Sequence, residues 1–323
     1  MKALVATRFG APAQMTLEER PMPQVKPGHS LVKVHAATVN PLSSLVRSGR
    51  VPAAQAPRVL SNDGSGVVED SARFPRGTRV ALYGGAQLGI SEDGLQQQWV
   101  VVEDKRLIEL PDSFDLDEGA ALPINYVTAY QALSRVGQVR AGQTVLISGA
   151  SGALGHALIQ IARTLGAIPV GLVSTARKVP CAERSGAATV IDLSSQDLRQ
   201  AVLAATDGRG ADLAFDPVGG ELLGQLVGAL RTRGAVVSIG FVGGQTARFD
   251  VADLVVEEKR ILGYDAWLET DEDVAATFTA LRGFIDQGQL RPLIDSRYAL
   301  ADYEAANARL ASREATGSIL LLP

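Results

Sequence analysis

Hydrophobic and polar positions give the chain three successive textures. From the N-terminus to about residue 110, short apolar runs are separated by glycine and proline. Ala3–Ala6, Leu31–Val39, Gly66–Glu69, Arg79–Tyr83 and Gln98–Glu103 read as strands of a hairpin-rich β region. From about 120 to 264, apolar strands alternate with helices, the signature of a parallel sheet. Strands are predicted at Thr144–Ile147, Ile168–Val173, Thr189–Asp192, Asp212–Asp216, Ala235–Ile239 and Arg260–Tyr264, with helices such as Leu198–Ala205 and Glu221–Leu230 between them. This rhythm suits a doubly wound sheet of order 3-2-1-4-5-6. Pro169 has no N–H for a ladder and is expected at the first position of its strand. The tail reads as a helix over Val274–Gln287, an extended segment near Leu293, a helix over Tyr303–Leu310 and a final strand, Ser318–Leu322.

The strand Thr144–Ile147 runs into a small-residue turn and then a helix with Leu154, Leu158, Ile161 and Leu165 on one stripe. The turn, Gly149-Ala150-Ser151-Gly152-Ala153-Leu154-Gly155, fits the dinucleotide fingerprint G-x-G-x-x-G with Ala150 in the first place. Gly152 would let backbone N–H groups approach a pyrophosphate at the positive end of the helix. Gly155 would let helix and strand pack closely. The alternative is an ordinary glycine turn, and the position between a strand and a helix favours the nucleotide.

An NAD site places Asp or Glu about 20 residues beyond the motif, against the ribose 2′-hydroxyl. No acid occurs from Ala167 through Ala182. Ser174, Thr175, Arg177 and Lys178 stand there instead. Charge-assisted contacts of roughly 1.5 to 3 kcal/mol would favour a 2′-phosphate and hence NADPH. The competing reading makes the cations a solvated helix start.

Composition narrows the partners. Hydrophobic residues are 46% and charged residues 20% of 323, as in a soluble globular chain of about two domains. A net charge of −4 and a pI near 5.5 give no broad attraction to nucleic acid or an anionic membrane. No apolar run approaches the about 18 residues of a membrane span. Without a secretory signal pattern at the N-terminus, a cytoplasmic location is expected. The single cysteine, Cys181, excludes an internal disulfide and reads as a small buried side chain near a helix start. The histidines, His29, His35 and His156, offer little material for zinc.

The order of parts, β-rich region, Rossmann region and return to β, resembles the medium-chain dehydrogenase/reductase superfamily over essentially the whole chain. Within it the chain is most similar to the zinc-free quinone oxidoreductase (zeta-crystallin-like) branch. The motifs are Val39-Asn40-Pro41-Leu42-Ser43 with Arg47-Ser48-Gly49, Leu122-Pro123-Ile124-Asn125-Tyr126-Val127-Thr128-Ala129-Tyr130, the glycine turn, Asp216-Pro217-Val218-Gly219-Gly220 and Ser312-Arg313 through Thr316-Gly317-Ser318. The resemblance implies an α/β protein with a GroES-like catalytic domain, 1–123 and 265–323, and a Rossmann domain, 124–264, with the active site in the cleft between them. It also implies a homodimer through the outer strand near Arg260 to Trp267. Zinc-dependent relatives carry Gly-His-Glu-x-x-Gly where this chain reads Ser61-Asn62-Asp63-Gly64-Ser65-Gly66, and a cysteine near Asn40. Lacking that Lewis acid, conjugated acceptors are the easier substrates, because hydride addition spreads charge onto a distant oxygen.

By resemblance, Asn40, Thr128, Gly152, Gly155, Lys178 and Arg313 match NADPH-contacting positions, and Gly240-Phe241-Val242 lies beside the nicotinamide. With Ala150, Ser151, Ala153, Leu154, Ser174 and Arg177 these form the expected cofactor site; Asn40, Thr128, Asn62 and Asp63 are the catalytic candidates. Each has a plainer alternative. Asn40 before Pro41 suits a turn, Thr128 a helix start, Arg313 the surface, Phe241 a core, and Asp63 beside Gly64 a turn. His156 is expected to face a neighbouring element. A tyrosine common in related reductases is replaced by Val51, which argues against a mitochondrial-type enoyl-thioester reductase, and a second by Leu193. Tyr83, Tyr126, Asp63 or water is left as proton donor. The expected function is NADPH-dependent reduction of a quinone or α,β-unsaturated carbonyl without metal. The alternatives are an enoyl-thioester reductase and an NADPH-binding protein with an RNA-binding or structural role.

Overall fold

Strands and short helices fill the first third of the chain in the computed structural model, which describes residues 1–323. In order they are β1 (Lys2–Arg8), β2 (Gln14–Glu19), β3 (His29–Val39), α1 (Pro41–Arg47), β4 (Arg58–Val59), β5 (Asp63–Asp70), β6 (Arg79–Tyr83), β7 (Trp99–Glu103), β8 (Leu107–Glu109) and α2 (Leu116–Ala121). The central run continues with α3 (Pro123–Gln131), β9 (Thr144–Ile147), α4 (Ala153–Thr164), β10 (Ile168–Val173), α5 (Val179–Ser185), β11 (Thr189–Asp192), α6 (Leu198–Ala205), β12 (Ala211–Asp216), α7 (Glu221–Ala229), β13 (Leu230–Ser238), α8 (Val251–Val256), β14 (Arg260–Gly263) and α9 (Asp271–Asp286). The tail adds β15 (Ile294–Ala299), α10 (Tyr303–Ala311) and β16 (Ser318–Leu322). Two units result, Met1–Ile124 with Arg291–Pro323, and Asn125–Leu290.

The first unit is a GroES-like β fold. β3 is its axis, pairing antiparallel with β5, β7 and β16, while β15 lies parallel to β16. Alternate residues of β3, β5, β6 and β7, among them Val32, Val34, Val68, Val80, Leu82, Val100 and Val102, form a buried cluster. Each such side chain contributes about 1.5 to 3 kcal/mol by leaving water. The Asp63-Gly64 pair, readable as a turn, instead opens β5. A Cβ on Gly64 would lie 2.3 Å from the Ala36 carbonyl oxygen, so the glycine serves the close approach of β3. β2 escapes the hydrophobic pattern because most of its residues face solvent. α2 is fixed by a capping box between Asp115 and Glu118.

The second unit carries a parallel sheet of order β11-β10-β9-β12-β13-β14, the 3-2-1-4-5-6 arrangement. Its central strands β9 and β12, and the Gly234–Val237 half of β13, are buried, as a sheet covered on both faces requires. Pro169 is the second residue of β10. Its carbonyl accepts from Ala188, on the side where β11 begins only at Thr189, so its missing N–H removes no ladder bond. Residues 265–290, grouped by sequence with the terminal segments, fall in this unit. Gln131 Nε2 donates to Thr277 Oγ1 of α9 at 2.7 Å, and Arg135 pairs with Glu269. No helix is long and apolar enough to cross a membrane.

Candidate functional site

β9 delivers the chain into the glycine turn, and Gly152 is the N-cap of α4. A Cβ on Gly155 would stand 2.1 Å from the Gly149 carbonyl oxygen, so this residue must be glycine for α4 to start where it does. Gly152 differs, since its Cβ would meet only Gly149 O at 3.4 Å. No side chain caps α4 and no acid lies in its first turn. The first-turn N–H groups therefore present the positive helix end to an anion. Ala150 and Ser151 are buried, whereas Ala153 and Leu154 are half-buried. Cys181 donates its Sγ–H to the Ser151 carbonyl at 3.6 Å, bracing the turn from α5. His156 Nδ1 lies 2.7 Å from Ser185 Oγ of α5, as a residue facing a neighbouring element should.

After β10 come Ser174, Thr175 and a single helical turn, Ala176–Lys178. Ser174 and Arg177 are exposed, and Lys178 Nζ lies 3.5 Å from Ser174 Oγ. Thr175 Oγ1 is buried and has no hydrogen-bond partner, an orphan donor beside two cations. These groups fit a phosphate of a dinucleotide held at the α4 N-terminus.

Past β12 and β13, two glycine-rich segments meet through a bridge between Gly219 and Gly244. Phe241 and Val242 are 49% and 47% exposed, so Phe241 is not the core residue its size suggests. Thr128 is buried within α3 rather than at its start. Tyr126 is also buried, and its hydroxyl donates to Gln160 Oε1 at 2.7 Å.

In the first unit a polar cluster forms where β3 ends and β5 begins. Asn40 caps α1, its Oδ1 accepting from Ser43 N at 3.0 Å. Its Nδ2 reaches Asn62 Oδ1 at 3.1 Å, Asp63 Oδ1 at 3.2 Å and Thr38 Oγ1 at 3.3 Å. Thr38 donates in turn to the Asp63 carboxyl, and Asn62 Nδ2 donates to Gly85 O at 3.2 Å. Asp63 is fully buried and its Oδ2 has no hydrogen-bond partner. Burial pushes its carboxyl up to about 7, against the opposing pull of the Thr38 side chain, the Ile124 backbone N–H and the Asn40 side chain. Val51 packs in an apolar cluster with Val46, Leu60 and Ile90. Arg313 is exposed with φ 58°, in a loop tethered by Asp295 to Thr316 N and by Arg309 to Glu314 O.

Residues 26–112 match the alcohol dehydrogenase GroES-like domain family and residues 153–280 the zinc-binding dehydrogenase family. A quinone oxidoreductase of Pseudomonas aeruginosa is 31% identical, across 100% of this chain and 99% of that protein. The chain belongs to the quinone oxidoreductase branch of the medium-chain dehydrogenase/reductase superfamily. As a member of this oxidoreductase branch it is also similar to a 2-haloacrylate reductase of a Burkholderia species, 29% identical over 99% of this chain and 98% of that one. Two solved structures covering 100% of the chain and of themselves place the same fold beside nicotinamide chemistry. A mycobacterial protein complexed with NADPH has a TM-score of 0.88 at 26% identity. An NAD-dependent alcohol dehydrogenase has 0.90 at 25% identity.

Apart from Thr128, inside α3, and Arg313, in its exposed loop, the expected residues thus fall into three local groups. The turn and α4 N-terminus join Ser174, Arg177 and Lys178 at the ends of adjacent strands β9 and β10. Gly240-Phe241-Val242 follows β13 in the same sheet. Asn40, Asn62 and Asp63 form one hydrogen-bonded set in the other unit. Thr38, missing from the sequence reading, completes that set; as a β-branched residue in a strand it gave no local sign of chemistry.

Proposed function

We propose that this oxidoreductase uses NADPH to reduce a quinone or another α,β-unsaturated carbonyl compound, without a metal. The observation that carries the cofactor choice is the segment after β10: two cations and two hydroxyls, one of them buried and unpartnered, with no Asp or Glu in the chain from Ala167 through Ala182. When bound, NADPH supplies a hydride to the acceptor. Gly152 and the first turn of α4 would hold the pyrophosphate, while Ser174, Thr175, Arg177 and Lys178 would hold the 2′-phosphate. Phe241 and Val242 offer apolar surface for the nicotinamide.

Support for the acceptor class comes from the residues available to stabilise charge. No three His, Cys, Asp or Glu side chains are grouped as a metal site needs. Hydrogen bonds are then left to stabilise the developing oxyanion, and a conjugated acceptor makes that sufficient. The similarity to a 2-haloacrylate reductase, named for a conjugated acid, supports the same class. Asp63 holds a proton near neutral pH, and Asn40 and Thr38 connect its carboxyl to the rest of the cluster. A homodimer is part of the proposal, because β14 ends the sheet with Ile261 exposed and Trp267 exposed just beyond it.

The test is oxidation of NADPH and NADH with a small quinone, an enone and a 2-haloacrylate, for wild type and Arg177→Ala/Lys178→Ala. Turnover with NADPH, and about a 10- to 100-fold loss of NADPH affinity in the variant with NADH unchanged, is expected. Equal use of both nucleotides before and after substitution would reject the 2′-phosphate assignment, and zinc bound stoichiometrically would reject the metal-free mechanism.

A further inference from the structure

Asp216, at the end of β12, is completely buried and forms no ion pair with any cation, so its carboxylate relies on hydrogen-bond donors. Those donors come from two directions. Ser148, the residue between β9 and the glycine turn, is also fully buried and donates Oγ–H to Asp216 Oδ1 at 2.5 Å. From its own loop, Val218 N donates at 2.9 Å, and Gly219 N lies 3.1 Å from both carboxylate oxygens. The backbone of Asp216 faces the opposite neighbour, its carbonyl accepting from Ile239 N at 2.9 Å and Gly240 N at 3.3 Å.

One residue therefore ties together the C-terminal ends of β9, β12 and β13. The loop it fixes reaches both ways. Val218 is set against the glycine turn, where a Cβ on Gly149 would meet Val218 Cγ2 at 3.3 Å. The Val218 carbonyl accepts from Gly243 N at 2.7 Å, and Gly219 bridges to Gly244. The result is one hydrogen-bonded network across these strand ends. Its members are the two segments that the NADPH reading assigns to the pyrophosphate and to the nicotinamide.

We propose that Asp216 is a positioning residue that couples the pyrophosphate-binding turn, through Ser148 and Val218, to the Gly240–Gly244 segment beside the nicotinamide. This rests on the NADPH reading. Its consequence is that the nicotinamide half of the cofactor gains affinity only while the coupling is intact. A purely structural carboxylate would affect all ligands of the unit alike.

The experiment compares NADPH with 2′-phospho-ADP-ribose, the same molecule without nicotinamide, by calorimetric titration of wild type, Asp216→Asn and Ser148→Ala. Ser148→Ala removes only the cross-strand hydroxyl and keeps the test usable if Asp216→Asn does not fold. In the variants, NADPH is expected to weaken about tenfold, as for loss of a charge-assisted hydrogen bond, while the fragment stays within about twofold of wild type. Parallel weakening of both ligands, or no change in either, would overturn the coupling. Failure of wild type to bind NADPH would reject the cofactor reading itself and this proposal with it.

Discussion

Gly155 and the Gly149 carbonyl oxygen are in such close register that a Cβ added to Gly155 would lie 2.1 Å from that oxygen. The same operation at Gly152 meets only Gly149 O at 3.4 Å. The two glycines of one motif thus have separable tasks. Gly155→Ala must displace α4 or the turn, and is expected to lower stability by about 1 to 3 kcal/mol, as overpacking does. Gly152→Ala is expected to leave the melting temperature within about 2 °C of wild type yet weaken NADPH by placing a methyl group where the pyrophosphate approaches. Thermal melts paired with NADPH titration check both. Equal melting temperatures for the two variants would refute the division.

Asp295 anchors the loop that carries Arg313, through Arg309 Nε and Nη2 at 2.9 and 2.8 Å and Thr316 N at 2.8 Å. Burial raises its carboxyl, but the bonds from Arg309, Thr316 and Ser296 outweigh this and hold it down at about 2. Because the folded value lies below the unfolded one, the stabilisation is present above pH about 4 and is lost as pH falls toward 2. Asp295→Asn is expected to destabilise the protein by about 1 to 3 kcal/mol at neutral pH. Urea melts at pH 7 and pH 3 should show that difference shrinking in acid; a constant gap would exclude ionisation as its source.

These two sites also show how far local sequence carries. The β9–turn–α4 unit is legible because each requirement, apolar strand, glycine at the close approach and amphipathic helix, lies within one stretch of chain. The strand order of the second unit follows from the same alternation. Asp63-Gly64 misleads for a reason of distance: the glycine answers to Ala36 on β3, a partner supplied only by folding. Asp63's raised carboxyl and Thr38's place beside it arise from burial, which neighbouring residues do not encode. The grouping of residues 265–290 fails similarly, since α9 is tied to Gln131 by bonds that no periodicity announces.

The exposed edge of β14 leads to an oligomeric prediction. Ile261 is 38% exposed on a strand whose outer side has no partner in the sheet. Wild type is expected to sediment as a dimer and Ile261→Asp to raise the dissociation constant about tenfold or more, since a charge would be buried at the junction. Sedimentation velocity over a concentration series measures this. A monomeric wild type, or a variant that dimerises equally well, would remove β14 from the interface.

Asp63 gives the prediction that separates chemistry from packing. Its carboxyl titrates at about 7 when folded, chiefly because burial disfavours the charged form, and near 4 when unfolded. A raised acid value means that the folded state binds the extra proton, so this group's contribution to stability is full below pH about 4 and declines as pH rises to 7. Asp63→Asn, which cannot ionise, should therefore gain stability relative to wild type across that interval and hold the gain above it. If the protonated carboxyl also supplies the proton taken up by the reduced acceptor, kcat/KM of wild type should fall above pH 7. The variant should lose that limb and run about 10² to 10⁴ times slower at its plateau. Thr38→Val, which removes the hydroxyl bonded to the carboxyl, should shift the limb to higher pH by weakening the charged form. The two readouts are independent. A stability gain without any change in the pH–rate profile would leave Asp63 a buried carboxyl of the β3–β5 junction and assign the proton to water.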